Sequence, residues 1–290
     1  MSINRIIVLG GSGFLGSHII QAIETEQIGE VTCGDLNPNK LLNCKFVKLD
    51  ILDLDNLSNN LDKYDIIINC TGQITQPFNV CFKLNSIGIN NLIEVLSEKG
   101  RRLIHISTVF VCGSVKTCNE ENPLNPETSY ATAKAFAEQI LLENYNQDRL
   151  TILRLSNLYG KHQMKGIFAY LLKSYHSDRK LDFNNDGTMI RFFMHVKDCA
   201  DIIVEVVKNG SLNGIYNIKG QEKYSVRNLV EQFEKRFGIV FNKNFSDKKP
   251  WENIESIDDS KINKFININY NYNLLDFFVN QIKSSKSDHY

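Results

Sequence analysis

A doubly wound α/β fold, a parallel sheet between two layers of helices, is what this sequence predicts, on three observations. Short apolar runs recur at Ile3–Leu9, Val31–Cys33, Phe46–Leu49, Ile66–Asn69, Leu103–Ile106 and Thr151–Leu155. The first is continuous apart from Asn4 and Arg5, as a strand buried on both faces of a parallel sheet is, and the others are similar short runs. The stretches between them are long enough for crossover helices or shorter connections, and in the longest of them apolar residues return every three or four positions. Directly after the first run stands a glycine cluster, where a strand turns sharply into a helix.

Taken in order, helices are predicted over Gly13–Thr25, Asn85–Lys99 and Thr128–Asn144. After about residue 160 the β-branched runs thin out, Asn, Lys and aromatics rise, and turn signals such as Asn184-Asn185-Asp186-Gly187 stand alone. This divides the chain into a first domain over residues 1–160 and a smaller α+β substrate region over 161–290, with some crossing of the chain between them. Helices in the second part are predicted over Ile167–Tyr175, Lys197–Lys208 and Val226–Phe237. The stretch Phe265–Asn273 is too aromatic for a disordered linker and is expected to pack, as is the single tryptophan, Trp251; Lys283–Tyr290 is expected to fray.

Composition narrows the function classes. The 290 residues are 42% hydrophobic, enough for a large core, and 33 Lys and Arg balance 33 Asp and Glu. With no net charge, no global field draws the chain to nucleic acid or to an anionic membrane, so any anion must be held by a local site. No run approaches the roughly 18 uncharged apolar residues that span a bilayer, and the N-terminal stretch lacks the features of a signal peptide. A cytoplasmic protein is expected. The seven cysteines are scattered without metal-ligand spacing, so they read as reduced, buried thiols and no metal site is expected.

The glycine cluster is Gly10-Gly11-Ser12-Gly13-Phe14-Leu15-Gly16. Gly10 permits the tight turn, Gly13 lets a pyrophosphate approach the amides of a helix N-terminus, and Gly16 lets helix and strand pack closely. Asp35 ends the second apolar run, where a carboxylate can accept from both hydroxyls of a ribose. Strand, glycine turn, helix and acidic residue together make a Rossmann-type dinucleotide site. Asp35 would repel the extra phosphate of NADP, and the nearest base is Lys40, so NAD is favoured and NADP is the second choice.

The spacing G-x-x-G-x-x-G resembles that of extended short-chain dehydrogenases/reductases of the nucleotide-sugar epimerase/dehydratase type. Asp50-Ile51-Leu52-Asp53 is similar to the family's adenine-binding D-x-x-D, and Asn85 to Leu92 to its N-x-x-G-x-x-N-L helix. Ser107 to Gly113 resembles S-S/T-x-x-V-Y-G, and Tyr130-Ala131-Thr132-Ala133-Lys134 is the Y-x-x-x-K pair. Leu153 to Gly160 resembles L-R-x-x-N-x-Y-G, Arg191 to Asp198 resembles R-D-F-x-H-V-x-D, and Asp258 to Lys261 resembles D-x-S-K. The likeness runs in order along nearly the whole chain. It implies a cofactor held by Gly10, Gly13, Phe14, Leu15, Gly16, Asp35, Asp50, Ile51, Tyr130 and Lys134. Departures stand at Cys112 for tyrosine, Phe192 for aspartate, Asn267 for glycine, and in the turn Asn69-Cys70-Thr71-Gly72.

Tyr130 and Lys134 are four apart, one helical turn on the same face. A free phenol has a pKa near 10, about three units above neutral, so it needs a fixed cation to exchange its proton at pH 7. Lys134 supplies that cation, and the resemblance also places it on the nicotinamide ribose. Thr108 would hold the substrate oxygen. For a nucleoside diphosphate, the resemblance implies Arg191 on the phosphates and Asn157 on the diphosphate-sugar, and the amides at Gly166 and Ile167 open a helix that could take an anion. His195 and His105 read as packing residues.

The resemblance implies an oxidoreductase acting at C4 of a nucleotide-linked hexose, in the supply of sugars for polysaccharide biosynthesis, with a homodimer as the expected assembly. A reductase of an NDP-4-keto-6-deoxyhexose is favoured, because the C-terminal region is shorter than in typical epimerases. A 4-epimerase is the alternative, supported by Asp35 and His195. The related 4,6-dehydratases carry Asp-Glu just after the catalytic Ser/Thr, where this chain has Val109-Phe110, so dehydration is not expected. A non-catalytic dinucleotide-binding regulator on the same fold is a distant reading, and such proteins usually lose the Tyr–Lys pair.

Overall fold

The computed structural model describes residues 4–287 apart from 74, 98, 99 and 164. The first half comprises β1 (Arg5–Leu9), α1 (Phe14–Glu26), β2 (Glu30–Asp35), β3 (Lys45–Lys48), α2 (Leu54–Leu61) and β4 (Ile66–Asn69). There follow α3 (Phe78–Asn85), α4 (Ile87–Ser97), β5 (Arg102–Thr108), β6 (Val115–Cys118), α5 (Ser129–Asn144) and β7 (Leu150–Leu155). The second half carries β8 (Asn157–Tyr159), α6 (Gly166–Tyr175), β9 (Lys180–Phe183), β10 (Ile190–His195), α7 (Val196–Lys208) and β11 (Gly214–Ile218). Last come β12 (Glu222–Ser225), α8 (Val226–Phe237), β13 (Asn242–Phe245), β14 (Ile254–Ile257), α9 (Ser260–Asn263) and α10 (Leu274–Ser287).

Seven parallel strands form the main sheet in the order β11-β7-β5-β4-β1-β2-β3. Successive residues of β1 point to opposite faces. Ile6 and Val8 pack with Ile19, Ile20 and Ile23 of α1 and Ile203 of α7. Ile7 and Leu9 pack with Leu92 of α4 and Leu141 of α5. Strand order runs one way from β1 through β2 and the other way through β4, so a crevice opens at the C-terminal ends of β1 and β4, where such sheets bind ligands.

The last strand of this sheet, β11, comes from beyond residue 160, and α7 packs on α1 with the same core. The chain thus crosses back before the smaller part is complete. That part holds a separate core of Phe168, Leu171, Leu229, Phe233 and Phe278 and a three-stranded sheet, β12-β10-β8.

Several expectations are corrected. The helix foreseen over Asn85–Lys99 is α4 and begins two residues later, at Ile87: Asn85 instead ends α3, its side chain donating to the carbonyls of Gly72 and Cys81, and Ser86 leaves the helical region. Lys99 and Ile3 lie outside the described residues. The segment expected to fray from Lys283 is helical to Ser287, because Leu274, Phe278 and Ile282 recur at four-residue spacing and enter the second core; residues 288–290 lie outside the description. Trp251 is 67% exposed rather than packed.

The cysteines are not all thiols. Cys112 and Cys118 are joined in a disulfide, because the turn at Gly113, with φ +66°, folds β6 back on the segment after β5. Cys33, Cys44, Cys70, Cys81 and Cys199 are free. Among the described residues no helix is long and apolar enough to cross a membrane.

Candidate active site

The glycine turn is built as its spacing requires. Gly10 has φ +73°, a left-handed conformation that suits glycine. A Cβ on Gly16 would lie 2.3 Å from the carbonyl oxygen of Gly10, so only glycine lets α1 approach the turn so closely. Asp35 closes the other side: its Oδ2 accepts the Ser12 amide at 3.0 Å and its Oδ1 accepts the Leu36 amide at 2.7 Å. Beside it Ser12, Gly13, Asn37, Asn39 and Lys40 line a cavity of about 540 Å³. An open turn of amides with a carboxylate at its edge fits the diphosphate and ribose of a dinucleotide.

The neighbouring wall is laced from below. Asp50 Oδ1 accepts the Leu52 amide, and Asp53 caps α2 through the Asn56 amide. Ile51 is held by its carbonyl, which accepts from Asn91 Nδ2 at 3.0 Å, and a Cβ on Gly88 would meet its side chain at 3.0 Å. The two asparagines and the glycine of the helix motif therefore fix the turns after β3 and β4.

Thr108 at the end of β5 and Tyr130 and Lys134 on α5 belong to elements that pack together. Thr108 ends β5 and its hydroxyl accepts the Phe110 amide, opening a short 3-10 turn over Val109–Cys112. Thr128 caps α5 by accepting the Ala131 amide, which aims the first turns of that helix at the crevice. Lys134 is fully buried; its Nζ donates to the carbonyls of Ile106 at 2.9 Å and Thr71 at 3.2 Å. Burial pulls its pKa down to about 8. The Tyr130 hydroxyl donates to Gln73 Oε1, and burial raises its pKa above the ordinary phenol value.

Gln73 has no place in any motif read from the sequence, yet it is what Tyr130 touches. Its Nε2 donates to the carbonyl of Ile106 at 3.1 Å. That bond fixes which end of the amide faces the phenol, since the opposite orientation would set two oxygens against each other.

Arg191, in β10, is nearly buried. Its Nη1 donates to the carbonyls of Ile190 and Glu252, its Nη2 lies 4.0 Å from the Glu252 carboxylate, and its guanidinium sits 4.6 Å over the Phe110 ring. Burial lowers its pKa to about 10, opposed by Glu252. Glu252 in turn accepts from the Thr128 hydroxyl, which links this arginine to the cap of the helix that carries Tyr130. Sequence reading missed Glu252, and no local signal marks it. Asn157 lies two residues beyond Leu155, the partner of Thr108 in the sheet register, and its Oδ1 is buried without a partner among the described residues. Gly166, with φ +85°, begins α6.

His105 is fully buried with Nδ1 3.2 Å from Asn69 Nδ2, and burial holds its pKa well below the ordinary value. His195 stacks on Tyr272 at 3.9 Å between ring centroids.

Comparison with known proteins gives the family and the fold. The chain is 26% identical over 285 residues to the dTDP-D-glucose 4,6-dehydratase of Bos taurus, covering 89% of this chain and 79% of that one. It is similar in structure to the UDP-glucuronic acid 4-epimerase of Bacillus cereus, solved with UDP-glucuronic acid and NAD, at 25% identity and a TM-score of 0.81, with 94% and 96% of the chains covered. It shares its fold with the dTDP-glucose 4,6-dehydratase of Streptomyces venezuelae, at 23% identity and a TM-score of 0.85 over 98% and 97% of the chains. Residues 6–218 match the profile of one family, and the chain belongs to it: the NAD dependent epimerase/dehydratase family.

Proposed function

We propose that this protein is an NADH-dependent reductase of an NDP-4-keto-6-deoxyhexose. The observation that carries the reading is the bond from the Tyr130 hydroxyl to Gln73 Oε1, with the amide pinned by Ile106. An acceptor held in that place favours the protonated phenol. A reductase begins in that state, because Tyr130 must give a proton to the ketone oxygen; an epimerase begins by oxidation, for which Tyr130 must accept one. When bound, NADH supplies the hydride. Thr108 orients the ketone oxygen, and Lys134 stabilises the phenolate left on Tyr130.

Dehydration lacks its acid and base in the expected positions. Val109 is buried in a small apolar cluster and Phe110 lies under Arg191. Asp35 supports NAD over NADP. Arg191 and Asn157 would hold the diphosphate and its sugar, which makes the chain from residue 161 onward contribute to the substrate side.

The 4-epimerase is the second reading, favoured by the likeness to the Bacillus cereus enzyme. We place the protein in the cytoplasm, in nucleotide-sugar supply for polysaccharide, as a homodimer. Support for the dimer is the exposed Phe78, Phe82 and Phe136 on α3 and α5, the last two stacked at 6.1 Å.

The deciding experiment supplies an NDP-4-keto-6-deoxyhexose and NADH to the purified protein. Absorbance of the reduced nicotinamide should fall one-for-one with ketone and stop when either is exhausted. Interconversion of two NDP-hexoses without added cofactor, with the ketone ignored, would give the reaction to the epimerase.

A further inference from the structure

Two turns along α5 from Tyr130 lies a buried ion pair that the chemistry above does not use. Glu138 and Arg154 are sealed from solvent; Arg154 Nε lies 3.1 Å from each carboxylate oxygen of Glu138, and Nη2 lies 2.7 Å from Oε2. The Ser107 hydroxyl donates to Glu138 Oε1. Ser107 and Arg154 are partners in the register of β5 and β7, and Ser107 directly precedes Thr108. Along the helix Glu138 follows Lys134 by four residues and Tyr130 by eight, so the three share one stripe. One carboxylate therefore grips both the helix that carries Tyr130 and Lys134 and the strand that delivers Thr108.

Stability alone is a poor reason for such a pair. Removing two charges from water costs about as much as their attraction returns, and packed apolar residues of similar volume often do as well or better. An apolar contact can slide, however, whereas a fork of directional bonds fixes both the rotation and the axial register of a helix on a strand. We infer that Glu138, Arg154 and Ser107 form a clamp that sets the position of Tyr130 relative to Thr108. The inference rests on the reading of Thr108, Tyr130 and Lys134 as the reacting groups.

The clamp also bears on Lys134. Around its ammonium stand the carbonyls of Thr71 and Ile106, and the titratable groups Cys70, Cys81, His105 and Glu138. Burial raises the thiol of Cys70 to about 12, raises Cys81 and Tyr130, and keeps His105 neutral. Cys70, Cys81 and then Glu138 oppose the burial that would discharge Lys134, and Glu138 is the carboxylate among them.

The test is the double variant Glu138→Met with Arg154→Met. A volume-conserving apolar pair should leave the melting temperature within about 5 °C of wild type. We expect kcat to fall at least about 10-fold with KM within about two-fold, as for reacting groups out of place. The alkaline fall of kcat, which tracks loss of the Lys134 charge, should move to lower pH. A stable double variant with wild-type kcat and an unmoved alkaline limb would overturn the proposal. Should the double variant not fold, or melt far below wild type, Ser107→Ala decides: it keeps the ion pair and removes the tie to the strand. A drop in kcat of roughly 3- to 10-fold at constant KM supports the clamp, and an unchanged kcat overturns it. Tyr130→Phe is the control, expected to lose at least about 100-fold in turnover. If that variant stays active, the reading of the reacting groups fails; if it is inactive while the clamp variants are normal, only the clamp fails.

Discussion

Lys134 and Gln73 meet on one atom: Lys134 Nζ and Gln73 Nε2 both donate to the carbonyl oxygen of Ile106, at 2.9 and 3.1 Å. A main-chain carbonyl in the sheet thereby fixes the cation and, through the amide, the acceptor that holds the Tyr130 hydroxyl. The buried strand β5 orders all three groups at once.

Gln73→Leu removes both amide bonds while keeping similar bulk. Turnover of the ketone should fall roughly 2- to 10-fold, the range expected for one hydrogen bond of 0.5–1.5 kcal/mol. Steady-state kinetics at saturating NADH would check this. A variant with the wild-type rate would make the bond a resting contact without a part in catalysis.

Asp35→Ala should weaken NAD binding by at least about 10-fold, since it removes charge-assisted bonds, and should shift the ratio of NADP to NAD affinity toward NADP. Both carboxylate oxygens already accept backbone amides of the turn and of β2's end, so some lost affinity will come from a loosened turn. Titration of nicotinamide fluorescence with each reduced cofactor measures the ratio. Wild-type preference for NADPH would refute the role given to Asp35.

Arg191→Ala should raise KM for the nucleotide sugar by about 10- to 150-fold, the equivalent of one charge-assisted hydrogen bond, with a smaller change in kcat. It should also lower the melting temperature, because the guanidinium ties β10 to the carbonyl of Glu252. A lowered melting temperature with unchanged KM would leave Arg191 as a structural tie alone.

Acid should destabilise the fold through its histidines. Burial lowers His195 from 6.5 to about 4, and lowers His18 and His105 in the same direction. The unfolded chain thus takes up protons first, so the contribution is full above about pH 6.5 and is lost as the pH falls toward 4. For His195 the whole effect is about 3 kcal/mol. Denaturant melts across this window should show the loss, and His195→Gln should flatten it; an unaltered slope would remove His195 as a source.

Much of the fold and the proposed reacting groups can be read locally. Strands such as Ile66–Asn69 show as apolar runs because helices cover both faces of the sheet. The glycine turn, Asp35 and the four-residue step from Tyr130 to Lys134 are likewise short-range patterns, dictated by backbone geometry that recurs wherever the sequence does. Tertiary structure alone decided which distant segments meet. Gln73 reaches Tyr130 across 57 positions and Arg191 reaches Glu252 across 61, and no periodicity encodes either distance. Residue type also misleads where packing has the last word: Trp251 lies exposed, and Cys112 finds Cys118 because a turn brings them together. Local sequence restricts each segment to a few backbone forms, whereas the side chains that touch across the crevice are selected by how those segments bury their apolar faces together.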